Sequence, residues 1–450
     1  LVKRNAKKKP FFIKYHLAKL RTFAKQHLLK ANKMEEILKR IILENQEIIS
    51  GKKLIARSYA IPETDHITVL IGIRRCGKTH VLYEKAKTFE PERILFLDFE
   101  DERLIGLNSL SNYDIIIDSY KTLFPNQEPV LFFDEIENLG NWHLYLKRLH
   151  VKGYKIFVTG SNAHLISREI ATFLKGRSLE TTIYPFSFPE FLKLKNIEFQ
   201  QKDTIINQPK IINLFDEYLQ YGGFPEVIKV DKDEKRTIAK NIYNLLFYKD
   251  LVAKFDKDDF LLKLVVSKIA ENITKEFSVT SLANKIISVY KTSVPTVTDY
   301  FNILPEPFLT SNIYPYRTSF IQRESKRKTY LADNSFIYLN RVAPDKSRLF
   351  ENLVFNFLQR KYSEIFYYKT SNNLEVDFFI PEMERKILIQ ASYSLQDSDT
   401  REREIKSLFK AMEDLNMDVG YIFTNNNAEE IVINNKTIKV IPFWKETLYN

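Results

Sequence analysis

The chain holds a single cysteine, Cys76, among its 450 residues. One thiol closes no internal disulfide and builds no cysteine-rich zinc site, and seven histidines spread along the chain do not replace it. A reducing, cytoplasmic setting is the expectation that follows. No apolar run approaches the roughly 20 residues needed to cross a bilayer. The longest candidates, such as Ile67–Ile73, stop after a few residues, so a soluble chain without a membrane partner is expected.

Acidic residues are missing from one region. Residues 1–33 contain 11 Lys or Arg and no Asp or Glu. The other 57 basic residues are matched by 57 acidic ones, so this segment accounts for the whole net charge of +11. The body of the chain is neutral, and bulk charge does not mark it as a nucleic-acid binder. The basic leader is not a secretory signal, because Lys14, His16 and Lys19 interrupt what should be its apolar stretch. It reads either as an arm for phosphates or an anionic membrane face, or as residues upstream of a true start at Met34. Met34 opens a helical pattern with apolar residues at 37, 38, 41 and 42.

With 44% apolar and 28% charged residues, the chain has length for two to four domains and hydrophobe for a core in each. From Ile67 to about Phe191, short apolar strands alternate with helical patterns, as in a parallel α/β sheet. The strand candidates are Ile67–Ile71, Ile94–Phe99, Val130–Phe133, Lys155–Thr159 and Leu179–Ile183. A looser, proline-marked helical region runs on to about Asp250. A compact helical stretch with a strand pair follows, and the last ~120 residues return to mixed α/β.

The segment Gly72-Ile73-Arg74-Arg75-Cys76-Gly77-Lys78-Thr79 has the spacing G-x-x-x-x-G-K-[ST], after a buried strand and before a helix. The glycines let the backbone curl so that its N–H groups, through His80 at the helix start, face the phosphates of ATP. Lys78 is expected to neutralise phosphate charge, and Thr79 to ligate Mg²⁺. A second buried strand, Val130–Phe133, ends in Asp134 and Glu135. Asp134 is expected to hold Mg²⁺ through its water shell, and Glu135 to polarise the attacking water. The next strand leads into Gly160-Ser161-Asn162, where Asn162 either donates to the γ-phosphate or forms an Asx turn. Arg177 either reaches the phosphoryl group of a neighbouring subunit or is a solvated surface arginine.

These pieces resemble the archaeal and bacterial AAA-type ATPases that carry a C-terminal domain of unknown function, DUF4143. The resemblance rests on the phosphate loop, Phe133-Asp-Glu-Ile136, Thr159-Gly-Ser-Asn162, Leu174-Lys-Gly-Arg177, Tyr184-Pro-Phe-Ser-Phe188, Gly222-Gly-Phe-Pro225, Leu349-Phe-Glu-Asn352 and Glu375-Val-Asp377. They run in the family's order from about Met34 to Asn450. The fold class implied is α/β: a P-loop NTPase parallel sheet of AAA type (34–195), then a helical lid (196–255), a winged helix-turn-helix (256–332) and a nuclease-like α/β domain (333–450).

In the winged-helix stretch, two short helices joined by a turn precede candidate wing strands at Phe308–Tyr316 and Lys328–Leu331. Lys291, Arg317, Arg323, Lys326, Arg327 and Lys328 give it a basic side suited to DNA phosphates. Asp299 on the second helix speaks against DNA, and such modules also dock proteins. The last domain resembles PD-(D/E)xK nucleases through Glu351 and Asp377, but Gln390-Ala391-Ser392 stands where a second carboxylate and a lysine are needed, so nuclease activity is not expected. The expected function is Mg²⁺-dependent ATP hydrolysis by a homo-oligomer acting on DNA. The alternative is a slow nucleotide-controlled switch that docks a protein.

Overall fold

The computed structural model describes residues 9–62, 64–109, 113–161, 176–197, 207–316, 326–340, 345–382 and 386–449. Its contacts divide the chain into two units. The first comprises residues 1–71, 78–160 and 166–181, and the second comprises 72–77, 161–165 and 182–450. No helix among the described residues is long and apolar enough to cross a membrane.

The first unit is built on a five-stranded sheet in the order β2-β3-β4-β1-β5, with β1 at Ile67–Ile71, β2 at Ile94–Asp98, β3 at Val130–Asp134, β4 at Lys155–Gly160 and β5 at Ser178–Thr182. β1 pairs with β4, β4 with β3, and β3 with β2, all parallel. β1 and β3 are buried along their whole length, which is why they read as continuous apolar runs rather than alternating ones. Inserting β4 between β1 and β3 brings the ends of all three strands side by side. Stacked Phe96, Phe132 and Phe157 cross β2, β3 and β4 as an aromatic seam.

The first helix runs from Lys9 to Gly51 without a break. The expected helix start at Met34, and with it the 33/34 boundary, therefore falls inside one element. Met34 itself is buried. Farther along, Asn45 donates to the Phe96 carbonyl at 2.9 Å and Gln46 to that of Ile94 at 2.8 Å. The helix thus satisfies the backbone of β2, the sheet's outer strand, where an unpaired ladder would otherwise invite another strand.

The second unit carries a mixed eight-stranded sheet, β12-β13-β11-β10-β9-β8-β6-β7. Here β6 is Thr310–Pro315, β7 Lys328–Leu331, β8 Phe366–Lys369, β9 Glu375–Pro381, β10 Lys386–Ala391, β11 Val419–Thr424, β12 Glu429–Ile433 and β13 Lys436–Pro442. The two expected short helices form at Val279–Ile287 and Val294–Asn302, each started by a serine, Ser278 or Ser293, that caps its first turn. The expected wing strands also form, as the antiparallel pair β6–β7. They do not stand apart from the last domain, because β6 continues into a parallel pairing with β8, Tyr314 beside Phe366. The boundary at 332/333 is therefore crossed by a shared sheet.

β7 is that sheet's edge. Asn352 covers it, accepting from the Leu331 N–H at 2.9 Å and donating to the Leu331 carbonyl at 3.0 Å, so one side chain imitates a neighbouring strand. Trp142 packs in the first unit and Trp444 in the second, both as core residues.

Candidate nucleotide site and the families that match

The phosphate loop takes its shape from backbone conformations that few residues adopt. Gly72 has φ 153° and Gly77 φ 100°. A Cβ on Gly72 would lie 2.1 Å from the carbonyl oxygen of Ile183, so no larger residue fits at that position. Arg75, at φ 68°, is left-handed without being glycine, a strain that the surrounding structure must hold in place. The Cys76 thiol donates to the same Ile183 carbonyl at 3.1 Å. Its role is to anchor the loop, and any part it takes in phosphate binding runs through the backbone.

Lys78 opens the helix Lys78–Ala86 and is buried. Its Nζ lies 3.4 Å from Glu135 Oε1. The Thr79 hydroxyl donates to Asp134 Oδ2 at 2.7 Å. Burial, the charge of Glu135 and more distantly that of Asp98 push the Asp134 carboxyl up to about 7, against the hydroxyls of Thr159 and Thr79 that favour its ionised form. Asp98 sits beside Asp134 in register across β2 and β3, and burial raises its carboxyl too.

Three carboxylates, Asp98, Asp134 and Glu135, of which Glu135 raises the other two, are the electrostatic setting that a divalent cation relieves. Thr79 and Asp134 supply a hydroxyl and a carboxylate already in contact. No group of three or more His, Cys, Asp or Glu among the described residues could hold a metal by itself. This donor set fits Mg²⁺, which keeps most of its waters and shares the rest of its shell with phosphate oxygens.

Glu135 is left-handed, φ 48°, which turns it away from the direction of Asp134. Thr159, at the end of β4, fixes this arrangement. Its hydroxyl donates to Asp134 Oδ1, and it accepts from the Glu135 N–H at 2.9 Å. Sequence reasoning named Thr159 in the motif Thr159-Gly-Ser-Asn162 but gave it no role. Its only signal was its place at the end of the strand that leads into Gly160-Ser161-Asn162.

The other expected site residues divide. Asn162 lies outside the described residues. The Arg74 guanidinium is bound to Asp250, Nε–Oδ2 2.9 Å and Nη2–Oδ1 3.1 Å, and Arg75 to Glu226 at 3.0 Å. The Arg74 side chain is thus engaged outside the loop, whereas the Arg75 pair is about half exposed. His80 is exposed, with its ring 6.2 Å from that of Tyr83. Arg177 is exposed, and its carbonyl accepts from Ile67 N–H at the first residue of β1. That is the opposite end of β1 from Gly72, roughly 16 Å away at the usual rise of a strand. Arg177 therefore does not join its own chain's phosphate loop. It also helps depress the His150 imidazole, after burial.

The carboxylates of the nuclease-like fold meet a cation of the protein itself. Lys328, on β7, is 1% exposed and lies 3.1 Å from Glu351, 2.8 Å from Glu375 and 2.9 Å from Asp377. Burial alone would lower its ammonium, but Asp377, Glu351 and Glu375 outweigh that and hold it well above its usual range. Gln390, in the position of the missing second carboxylate, accepts from the Asp377 N–H and donates to Glu404. An ammonium of the protein itself thus stands among these carboxylates. Lys328 is accordingly not part of a DNA-facing basic side. Lys326 is paired with Glu276 at 2.8 Å, Arg327 lies over the rings of Tyr314 and Phe301, and Arg317 and Arg323 lie outside the described residues.

Three known families match successive parts of the chain. The AAA domain family AAA_14 matches residues 64–192, a domain of unknown function, DUF8612, matches 212–345, and DUF4143 matches 346–445. The uncharacterized protein MJ1544 of Methanocaldococcus jannaschii is 33% identical over 433 residues, covering 92% of this chain and 95% of that one. The chain belongs to the AAA-type ATPases with a C-terminal DUF4143 domain. An uncharacterized protein of Haemophilus influenzae is 28% identical over 369 residues, 79% of this chain and 89% of that one. Among solved structures, the Walker-type ATPase PABY2304 of Pyrococcus abyssi matches with TM-score 0.42 and 14% identity over 66% of this chain and all of that one. In this AAA-type family member, the DUF8612 match spans both the lid and the two-helix module that sequence reasoning had separated at 255/256, and it ends beyond the β6–β7 hairpin.

Proposed function

We propose that the chain hydrolyses ATP with Mg²⁺ and uses the nucleotide as a slow switch for its C-terminal modules. The observation that carries the hydrolytic reading is the convergence of Lys78, Thr79, Asp134 and Glu135, held together by Thr159. The loop N–H groups and Lys78 bind the phosphates, while Thr79 and Asp134 hold Mg²⁺. When bound, Mg²⁺ neutralises charge on the phosphate oxygens. Glu135 orients the attacking water and accepts its proton. For Glu135 to act, Lys78 must transfer its contact from that carboxylate to phosphate. In a homo-oligomer, exposed Arg177 would be available to the phosphoryl group of a neighbouring subunit.

For the partner we favour a protein. On the helix Val294–Asn302 the exposed residues include Pro295, Thr296, Asp299 and Asn302, with no cation among them, and Asp299 is paired with Lys257. A helix meant for a major groove needs donors and positive charge along that face. The DNA reading keeps one specific support, exposed Lys285 and Lys291 near the turn between the two helices.

One assay tests both levels. ATP turnover is measured with and without single-stranded, duplex and forked DNA, at low and moderate salt, with Lys78→Ala as the blank and Glu135→Gln as a second variant. Turnover absent from Lys78→Ala, and about 100-fold slower in Glu135→Gln with nucleotide still bound, is expected for the hydrolytic reading. Turnover equal in wild type and Lys78→Ala refutes it. Indifference to every DNA supports the switch, and salt-sensitive stimulation by one DNA form replaces it with a DNA-driven motor.

A further inference from the structure

The two phosphate-loop arginines are bound by acids more than 150 positions away in the chain. The pairs differ in weight. Arg75 and Glu226 are each about half exposed, 51% and 47%, and solvent screens such a pair to little net value. Arg74 and Asp250 are 11% and 12% exposed, and they meet fork to carboxylate through two contacts. A planar bidentate pair out of water fixes direction as well as distance.

Asp250 stands in an unusual element. The helix Lys232–Leu245 runs into a π-helical turn over Leu246–Val252, and then into the short helix Ala253–Phe255. A π-turn widens the helix by one residue, a deformation that helices carry chiefly where function needs it. Its apolar residues Leu246, Phe247 and Leu251 are buried, leaving Asp250 to hold the arginine.

The neighbouring segment is braced in the same way. Gly223 donates to Asp333 at 2.7 Å and accepts from the Phe186 N–H at 2.7 Å, and a Cβ on Gly222 would lie 1.8 Å from the Asp333 carboxylate. The Gly222-Gly-Phe-Pro225 motif thus leads into Glu226 from a closely packed turn. Beside it, the π-turn departs from regular α-helical pairing.

We propose that Asp250 is a positioning residue of the nucleotide site: by holding Arg74 it sets the shape of the loop Gly72–Gly77, and phosphate bound in the loop alters the π-turn through the same pair. Asp250 touches no nucleotide. The proposal rests on the ATP reading above, and it adds the route by which occupancy leaves the site. Linkage requires the effect to run both ways, so the loop cannot respond to Asp250 without the turn responding to the loop.

The test is hydrogen exchange of the peptide 244–255 in the full chain, with and without Mg·ADP, and with Mg·ADP affinity measured by calorimetry on the same samples. The variants are Asp250→Asn, Asp250→Glu and Arg74→Lys. In wild type, Mg·ADP is expected to change exchange in this peptide by about fivefold or more, the lower range of measured site-to-site coupling. Asp250→Asn is expected to bind Mg·ADP and lose that change, while Asp250→Glu restores it. Arg74→Lys keeps the charge but not the fork and is expected to respond only weakly, so the test stands if Asp250→Asn does not fold. Wild type that binds Mg·ADP without a change at 244–255, or Asp250→Asn that keeps the full change, overturns the proposal and leaves the ATP reading intact. Wild type that gives no binding heat overturns both.

Discussion

Replacing Lys328 by methionine is expected to cost about 3–5 kcal/mol, the usual range for removing one partner of a buried ion pair. The size follows from the charges around it. Lys328 faces Glu351, Glu375 and Asp377, and Lys369 also reaches Glu375 at 2.8 Å. Burial first, then the charge of Asp377, raises the Glu351 carboxyl. With Glu351 protonated, two ammonium groups match two carboxylates and the cluster is neutral. Tyr330 supports this site, its hydroxyl donating to Glu351 at 2.9 Å. Methionine fills the volume and leaves one lysine for three carboxylates.

Without the ammonium, Glu351 holds its proton in the folded state still more firmly than when unfolded. Its folded affinity for protons is raised, so the stability it contributes is present at low pH and lost as pH rises. The deficit of Lys328→Met against wild type should therefore grow from pH 6 to pH 8. Urea unfolding followed by Trp444 fluorescence in a Trp142→Phe background reads this directly, because Trp444 is then the one remaining indole and is buried in the same unit. A loss below about 1 kcal/mol, the level of an exposed pair, or a deficit that is flat across this range, would refute the claim that the ammonium balances the cluster.

Thr159→Val keeps the shape at the end of β4 but removes the hydroxyl that joins Asp134 to the Glu135 backbone. Turnover should fall by about tenfold or more, the cost of a misplaced catalytic group, while Mg·ADP affinity by calorimetry stays within about threefold; equal losses in both would show that Thr159 acts on binding alone. Asp333 is buried, and burial pushes its carboxyl up to about 6, against the N–H and O–H donors from Gly223 and Ser335. The folded state therefore binds this proton more tightly than the unfolded one. Its contribution is complete below pH 4 and lost as pH rises through 6, a change of roughly 3 kcal/mol. Asp333→Asn should remove that part of the slope in a urea series from pH 4 to 7, and an unchanged slope would assign the titration elsewhere.

Much of the first unit was legible because its signals are local. Five candidate segments became the five strands, within a residue or two at their ends, four of them buried apolar runs and the fifth, β5, half-exposed and polar. The loop glycines were readable because their chemistry needs nothing distant: a chain that must curl around phosphate uses residues tolerant of positive φ. Gly72 and Gly77 show that tolerance in use. Asp134 and Glu135 were readable because two adjacent acids at the end of a buried strand are costly to desolvate unless a cation or a reaction uses them. The helix start at Met34 was misplaced because a periodic pattern marks where apolar residues begin to repeat, not where hydrogen bonding begins.

The side-chain partners were not legible in the same way. Lys328 looked like one more cation in a basic run, and burial beside residues 23 to 49 positions later reversed its meaning. The wing strands were found but their pairing was not, because a hairpin's pattern is the same whether its outer edge meets water or β8. Arg74 matched the motif as a phosphate contact, yet its guanidinium is held by Asp250. The sequence alone determined which segments curl, which are buried and which chemistry the loop can host, since those depend on neighbours a few residues away. Only the tertiary structure decided which charge meets which, because that depends on distances between residues far apart in the chain, and a charge has no function until its counterpart is placed.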